Sequence, residues 1–102
     1  MRNNKTTTMN NLQTLQNLRS ELTTLASDWS ETHNQLDANC VIVTLPSKMW
    51  RVAKELGCRK DYHYGYILFS KSTNSNGSDL ACEVQSICQE HGAPVIVHEY
   101  QL

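Results

Sequence analysis

Three short runs of β-branched and aromatic residues alternate with stretches of helical periodicity along this chain. They are CVIVTL at 40–45, YHYGYILF at 62–69 and APVIVHEY at 93–100. Branched side chains lose rotamer freedom on a helix and pack well on a pleated surface, so the runs read as strands. A helical stretch precedes each strand, and the predicted order is α-β-α-β-α-β. Helices between strands imply crossover connections, hence an α/β domain, or α+β if the sheet is mixed. The expected fold is a three-stranded sheet with two crossover helices, preceded by a long amphipathic helix. A split β-α-β arrangement of ferredoxin-like kind is the alternative. It requires a further strand near 58–61, where the sequence CRKD carries little strand signal.

Leu15, Leu18, Leu22, Leu25, Trp29 and Leu36 recur at spacings of three and four, with Thr32 as the weak position between the last two. Met9 and Leu12 widen the same side. The stripe predicts a helix from about residue 9 to at least 27. Thr8 or Asn10 is placed to cap it, and Ser27, Asp28, Ser30 and Glu31 suit a break before a short second helix reaching Leu36. Pro46 and Ser47 open the next helix, with Met49, Val52, Ala53 and Leu56 inward, Trp50 at the margin and Gly57 as its left-handed cap. The polar stretch 70–78 reads as a surface loop. Ser78 or Asp79 then caps a helix with Leu80, Val84, Ile87, Cys88 and His91 on its face, ended by Gly92.

The 102 residues suffice for one domain that buries about two-thirds of its surface. Residues 1–8 are polar and expected to be disordered, leaving 9–102 as the domain. Hydrophobic residues at 39% and charged residues at 19% exclude a highly charged unfolded chain. The start of the chain lacks the apolar region of a signal peptide, and no apolar run is long enough to cross a bilayer. A cytoplasmic protein with no membrane partner is expected. Cys40, Cys58, Cys82 and Cys88 form no Cys-x-x-Cys pair and read as reduced thiols.

Catalytic and cofactor signals are weak. Gly57 and Gly92 look like helix caps, Gly77 lies in a loop and Gly65 stands alone in a strand, so no glycine remains to cradle a phosphate, and no cofactor is expected. Cys88 and His91 could face one ion, with Cys58, His63 and His98 elsewhere in the chain. They also continue the apolar face set by Val84 and Ile87, and their spacing matches no standard ligand set, so no metal is expected. Cys82 is expected off the apolar face near a helix start, which favours a thiolate, but no base or orienting group can be assigned beside it. No catalytic residue is named.

Surface patterns say more. Residues 48–60 carry Lys48, Arg51, Lys54, Arg59 and Lys60 against Glu55 alone, a net charge of +4, while 61–102 carry −4. The basic group is an electrostatic footprint for phosphates or an acidic partner, or else a solvated helix face. Tyr62, Tyr64 and Tyr66 alternate, so on a strand they share one side, opposite His63, Ile67 and Phe69. An open tyrosine face could stack bases or hold a ligand; a helix or second subunit covering it is the plainer reading. Leu15, Leu18, Leu22, Leu25 and Trp29 form a narrow seam that suits pairing with another copy. The expected function is a non-catalytic interaction module, homodimeric, binding another protein through its surface. The alternatives are a nucleic-acid-binding protein using the basic patch and a small-ligand or metal protein.

Overall fold

The computed structural model describes residues 4–32, 39–73 and 77–101. They form α1 (Asn4–Thr32), β1 (Asn39–Thr44), a 3-10 turn (Ser47–Met49) leading into α2 (Trp50–Leu56), β2 (Arg59–Asp61), β3 (Gly65–Thr73), α3 (Gly77–His91) and β4 (Ile96–Gln101). This is a small α+β domain with a four-stranded antiparallel sheet in the order β2-β3-β1-β4. The expected three-stranded sheet is therefore corrected, and so is the expected order, because β2 enters between α2 and β3.

That fourth strand is held by the turn that follows it and by the strand it pairs with. The Asp61 carboxylate accepts hydrogen bonds from the backbone N–H groups of His63 at 2.7 Å and Tyr64 at 3.1 Å, closing a tight turn. Gly65 then takes a left-handed φ of 79° and starts β3, which pairs Arg59 with Ile67, Lys60 with Tyr66 and Asp61 with Gly65. A polar tripeptide is held as a strand by its hairpin, not by propensity.

The helix-linked strands are not neighbours. β1 and β2 flank β3 and run antiparallel to it; β3 and β4 likewise flank β1. Each crossover pair is thus parallel but split by one antiparallel strand, the split β-α-β topology. β3 also continues through Ser70, Lys71 and Ser72, expected as loop, because those residues pair with Ile42, Val41 and Cys40. A register shift after Val43 brings Phe69 and Leu68 to the same side, so Phe69 joins the core with Tyr66.

The helices pack on one side of the sheet. Leu15, Leu18 and Leu22 of α1, Val52, Ala53 and Leu56 of α2, and Leu80, Val84 and Cys88 of α3 meet Val41, Val43, Tyr66, Leu68 and Phe69 in one core. α1 is unbroken from Asn4, so neither Thr8 nor Asn10 stands at its start and no break occurs at 27–31. Trp29 explains the continuity: its indole is only 6% exposed, and its Nε1 donates to Glu83 Oε2 at 3.0 Å, tying this turn to α3. Leu36 lies outside the described residues. α2 ends as expected at Gly57, φ 77°, and Arg19 Nη2 of α1 donates to the Leu56 carbonyl at 2.9 Å, satisfying a group the helix end leaves over. α3 begins at Gly77, which places Ser78 and Asp79 inside it, not ahead of it.

Candidate functional site

The basic residues between 48 and 60 do not form one patch. Lys48, Arg51 and Lys54 are exposed on the 3-10 turn and α2, opposite the buried Met49, Val52, Ala53 and Leu56. Successive residues of a strand point to opposite faces. Lys60 therefore sits with Tyr66 on the helix-covered side, and Arg59 sits with Ile67 on the other. Lys60 joins the α2 group: its Nζ lies 5.4 Å from the Trp50 ring centroid and 5.8 Å from that of Tyr66. Trp50 is fixed by donating Nε1 to the Leu45 carbonyl at 3.1 Å and by an edge-to-face contact with Tyr66 at 5.6 Å. A cation on a braced aromatic pair is a positioned charge; Arg59 belongs to a different surface.

The tyrosines also separate, which corrects the expectation that they share a face. The strand starts at Gly65, so Tyr62 and Tyr64 lie in the turn before it. Tyr62 is 97% exposed, Tyr66 is buried in the helix-side core, and Tyr64 packs on a small cluster of Cys40, Ile42 and Ile67 on the opposite side of the sheet. That cluster contains no helix residue. Beside it, Tyr64 lies 5.0 Å from the His98 ring, and Thr44 Oγ1 and His98 Nε2 share a hydrogen bond of 3.0 Å.

The leucine stripe is used inside the chain. Leu15, Leu18 and Leu22 are fully buried, Trp29 nearly so, and Leu25 packs against the same core. A second copy could reach Leu15, Leu18, Leu22 and Trp29 only by displacing α1 from the sheet and α3.

The residues weighed for metal or thiol chemistry are dispersed. His91 Nε2 donates to Glu21 Oε1 of α1 at 2.9 Å. Cys88 is buried, and burial pushes its thiol up to about 11. Cys58 is half-buried 3.7 Å from Arg19 Nη1; burial raises its thiol, opposed by the guanidinium charge and hydrogen bond. His63 belongs to the β2–β3 turn and His98 to β4. Cys82 is exposed, as its position off the apolar face predicts. Among the described residues no three His, Cys, Asp or Glu side chains gather at one point. No described helix is long and apolar enough to cross a membrane.

Sequence reasoning missed a cavity of about 370 Å³ between the end of α3 and the start of β4. Gln85, Cys88 and Gln89 form its α3 wall, and Ala93, Val95 and Val97 the other. The signal was present: Gln85, Cys88, Gln89 and Gly92 fall at helical spacing, and Val95 and Val97 alternate across the start of β4. Gln85 and Gln89 stand off the apolar face of α3 and are exposed, and nothing local reveals that β4 runs beside them.

Charge is segregated across this frame. β2 and β4 are opposite edges of the sheet, about 14 Å apart at the usual strand spacing. α2 and the turn before it expose Lys48, Arg51 and Lys54, whereas α3 and β4 contain Asp79, Glu83, Glu90 and Glu99 and no Lys or Arg. No family model matches the chain, and neither the curated proteins nor the solved structures contain a match.

Proposed function

We propose that this protein is a non-catalytic interaction module that binds another protein through its surface. The observation that carries the reading is the segregation of charge between the α2 flank and the α3–β4 flank. A polyanion attracted to Lys48, Arg51 and Lys54 meets an acidic flank on the same small domain, so a long nucleic acid gains little net attraction. A protein surface of mixed sign can complement both, and complementarity of this kind sets orientation and association rate. Self-association through Leu15, Leu18, Leu22 and Trp29 would require opening the core, so the proposed partner is a different protein.

The exposed row Lys48, Arg51 and Lys54 favours nucleic acid as the second reading. One experiment separates the two. The full chain is used to select displayed random dodecapeptides, and in parallel is titrated with a randomised single-stranded oligonucleotide pool from about 50 to 300 mM salt. The protein-binding reading expects selected peptides and only weak oligonucleotide binding that vanishes with salt. Tight oligonucleotide binding abolished by Arg51→Glu with Lys54→Glu, or a failure to select any peptide, overturns it.

A further inference from the structure

Resting on the protein-binding reading, we propose that the partner docks an acidic segment on the outer face of α2. One carboxylate of that segment seats between Lys54 and Lys60 at the Trp50 ring, and a second seats on the Arg51 guanidinium.

The cations form one continuous ridge. Lys48, Arg51 and Lys54 recur at intervals of three along the 3-10 turn and α2, and all three are exposed. Residues three or four apart are neighbours on a helix surface. Lys54 also follows Trp50 by four positions, so it stands on the side of α2 that carries the indole. Lys60 reaches the same ring from β2, with its Nζ 5.4 Å from the centroid. Two ammonium groups from two elements thus border one indole.

The ridge lacks counter-ions within the chain. Among the described residues, Lys48, Arg51, Lys54 and Lys60 form no ion pair. Glu55 is the one acid on α2, and it forms none either. Asp61 follows Lys60 on β2, but strand alternation places it on the opposite side of the sheet, where it accepts the N–H groups of His63 and Tyr64. Glu21 of α1 is taken by His91 of α3. Four cations against one carboxylate make a surface complementary to an acidic partner.

The aromatic platform makes the ridge more than a solvated helix face. Trp50 Nε1 donates to the Leu45 carbonyl and its ring meets Tyr66 edge-on, so the indole is fixed before a partner arrives. An apolar ring beside the ammonium groups excludes water from one side, and ion pairs strengthen where water is displaced. Arg51 offers a fork that takes a carboxylate through two parallel hydrogen bonds. Nucleic acid is the poorer occupant. Six residues of helical rise separate Lys48 from Lys54 by about 9 Å, which spans few phosphates. Binding of a single strand through four cations falls with salt at a log–log slope of about −3.

The test uses the full chain and the displayed random dodecapeptides selected on it. The selected peptides are expected to be enriched in aspartate and glutamate over the unselected library. Anisotropy of a fluorescein-labelled selected peptide at about 150 mM salt should show binding at least about tenfold weaker for Arg51→Glu with Lys54→Glu and several-fold weaker for Lys60→Gln. All three side chains are exposed, so circular dichroism of these variants should match the wild type. Lys54→Arg keeps the charge and should keep the binding, and Glu90→Gln on α3 should leave it unchanged. The chain has two tryptophans and Trp29 is 6% exposed, so a change in tryptophan emission on adding unlabelled peptide reports Trp50 and should vanish in Trp50→Phe.

Selected peptides with no excess of acidic residues, equal binding to the double variant, or unchanged tryptophan emission overturn the proposal and leave the protein-binding reading standing. Failure to select any peptide overturns both. Decathymidylate that binds more tightly than the peptide at about 150 mM salt, and is lost in the double variant, assigns the ridge to nucleic acid and also overturns both.

Discussion

Replacing Gly65 with alanine tests how the basic flank is built. Gly65 has φ 79°, and a Cβ built there would stand 2.8 Å from Cζ2 of Trp50. Two costs arise. A left-handed conformation costs an L-residue about 1–2 kcal/mol. Crowding a packed indole costs about 1–3 kcal/mol more. Gly57 separates them: its φ is 77°, but nothing lies within 4 Å of its added Cβ. Gly57→Ala should therefore cost about 1–2 kcal/mol and Gly65→Ala about 2–5 kcal/mol. Against a typical total of about 5–15 kcal/mol, the second is a large fraction. Urea unfolding followed by far-UV circular dichroism measures both, with equal slopes showing that the unfolded states are comparable. Trp50→Phe in the Gly65→Ala background should recover part of the crowding cost, giving a double mutant less destabilised than the sum of the singles. Equal costs at the two glycines, or strict additivity with Trp50→Phe, would refute the account of Trp50 as a braced platform for Lys60.

Further expectations concern the core, the thiols and the turn. Leu18→Ala should destabilise by about 3–5 kcal/mol, with an unfolding midpoint that does not move with protein concentration; a concentration-dependent midpoint would return the leucine stripe to an interface. Iodoacetamide at mildly alkaline pH should modify Cys82 first, and peptide mass mapping that finds Cys88 modified as fast would contradict its burial. Because the folded Cys88 thiol is raised from 9.0 to about 11, its contribution to stability is fully present below pH 9.0 and is lost as pH rises toward 11, where Cys88→Ser should flatten the wild-type decline. Asp61 behaves with the opposite sign. The His63 and Tyr64 N–H groups hold its carboxyl below 3.8, so the turn's support is present above that value and lost as pH falls through the lower folded one. Asp61→Ala should then lose its deficit relative to wild type in acid, and a deficit that persists there would point to another cause.

Much of the fold was legible where side-chain pattern alone decides it. Cys40 to Leu45 as a buried strand, the inward face of α2 and the cap at Gly57 follow from local periodicity and conformational preference. The features that stayed hidden depend on partners distant in sequence. Arg59, Lys60 and Asp61 become a strand because Asp61 fastens the turn and β3 returns alongside. Ser70 to Ser72 extend β3 because β1 lies opposite. The tyrosine alternation misled for the same reason: the run YHYGY looks continuous, yet the turn occupies its first half and Gly65 resets the direction of the strand after it. The stripe on α1 was visible, but periodicity is identical for a core face and a dimer seam; only the sheet and α3 beneath it distinguish them. Charge asymmetry could be counted from the sequence. Its separation onto opposite flanks required the strand order.

The most direct test of the account is a nitrogen-15 NMR titration of the full chain with a dodecapeptide selected on it, beside a titration with the randomised oligonucleotide pool, both at about 150 mM salt and tracking every backbone amide. The account predicts shifts with the peptide and none with the oligonucleotides. Shifts at Lys48, Arg51 and Lys54 with the oligonucleotides, or no shift with the peptide, would contradict it.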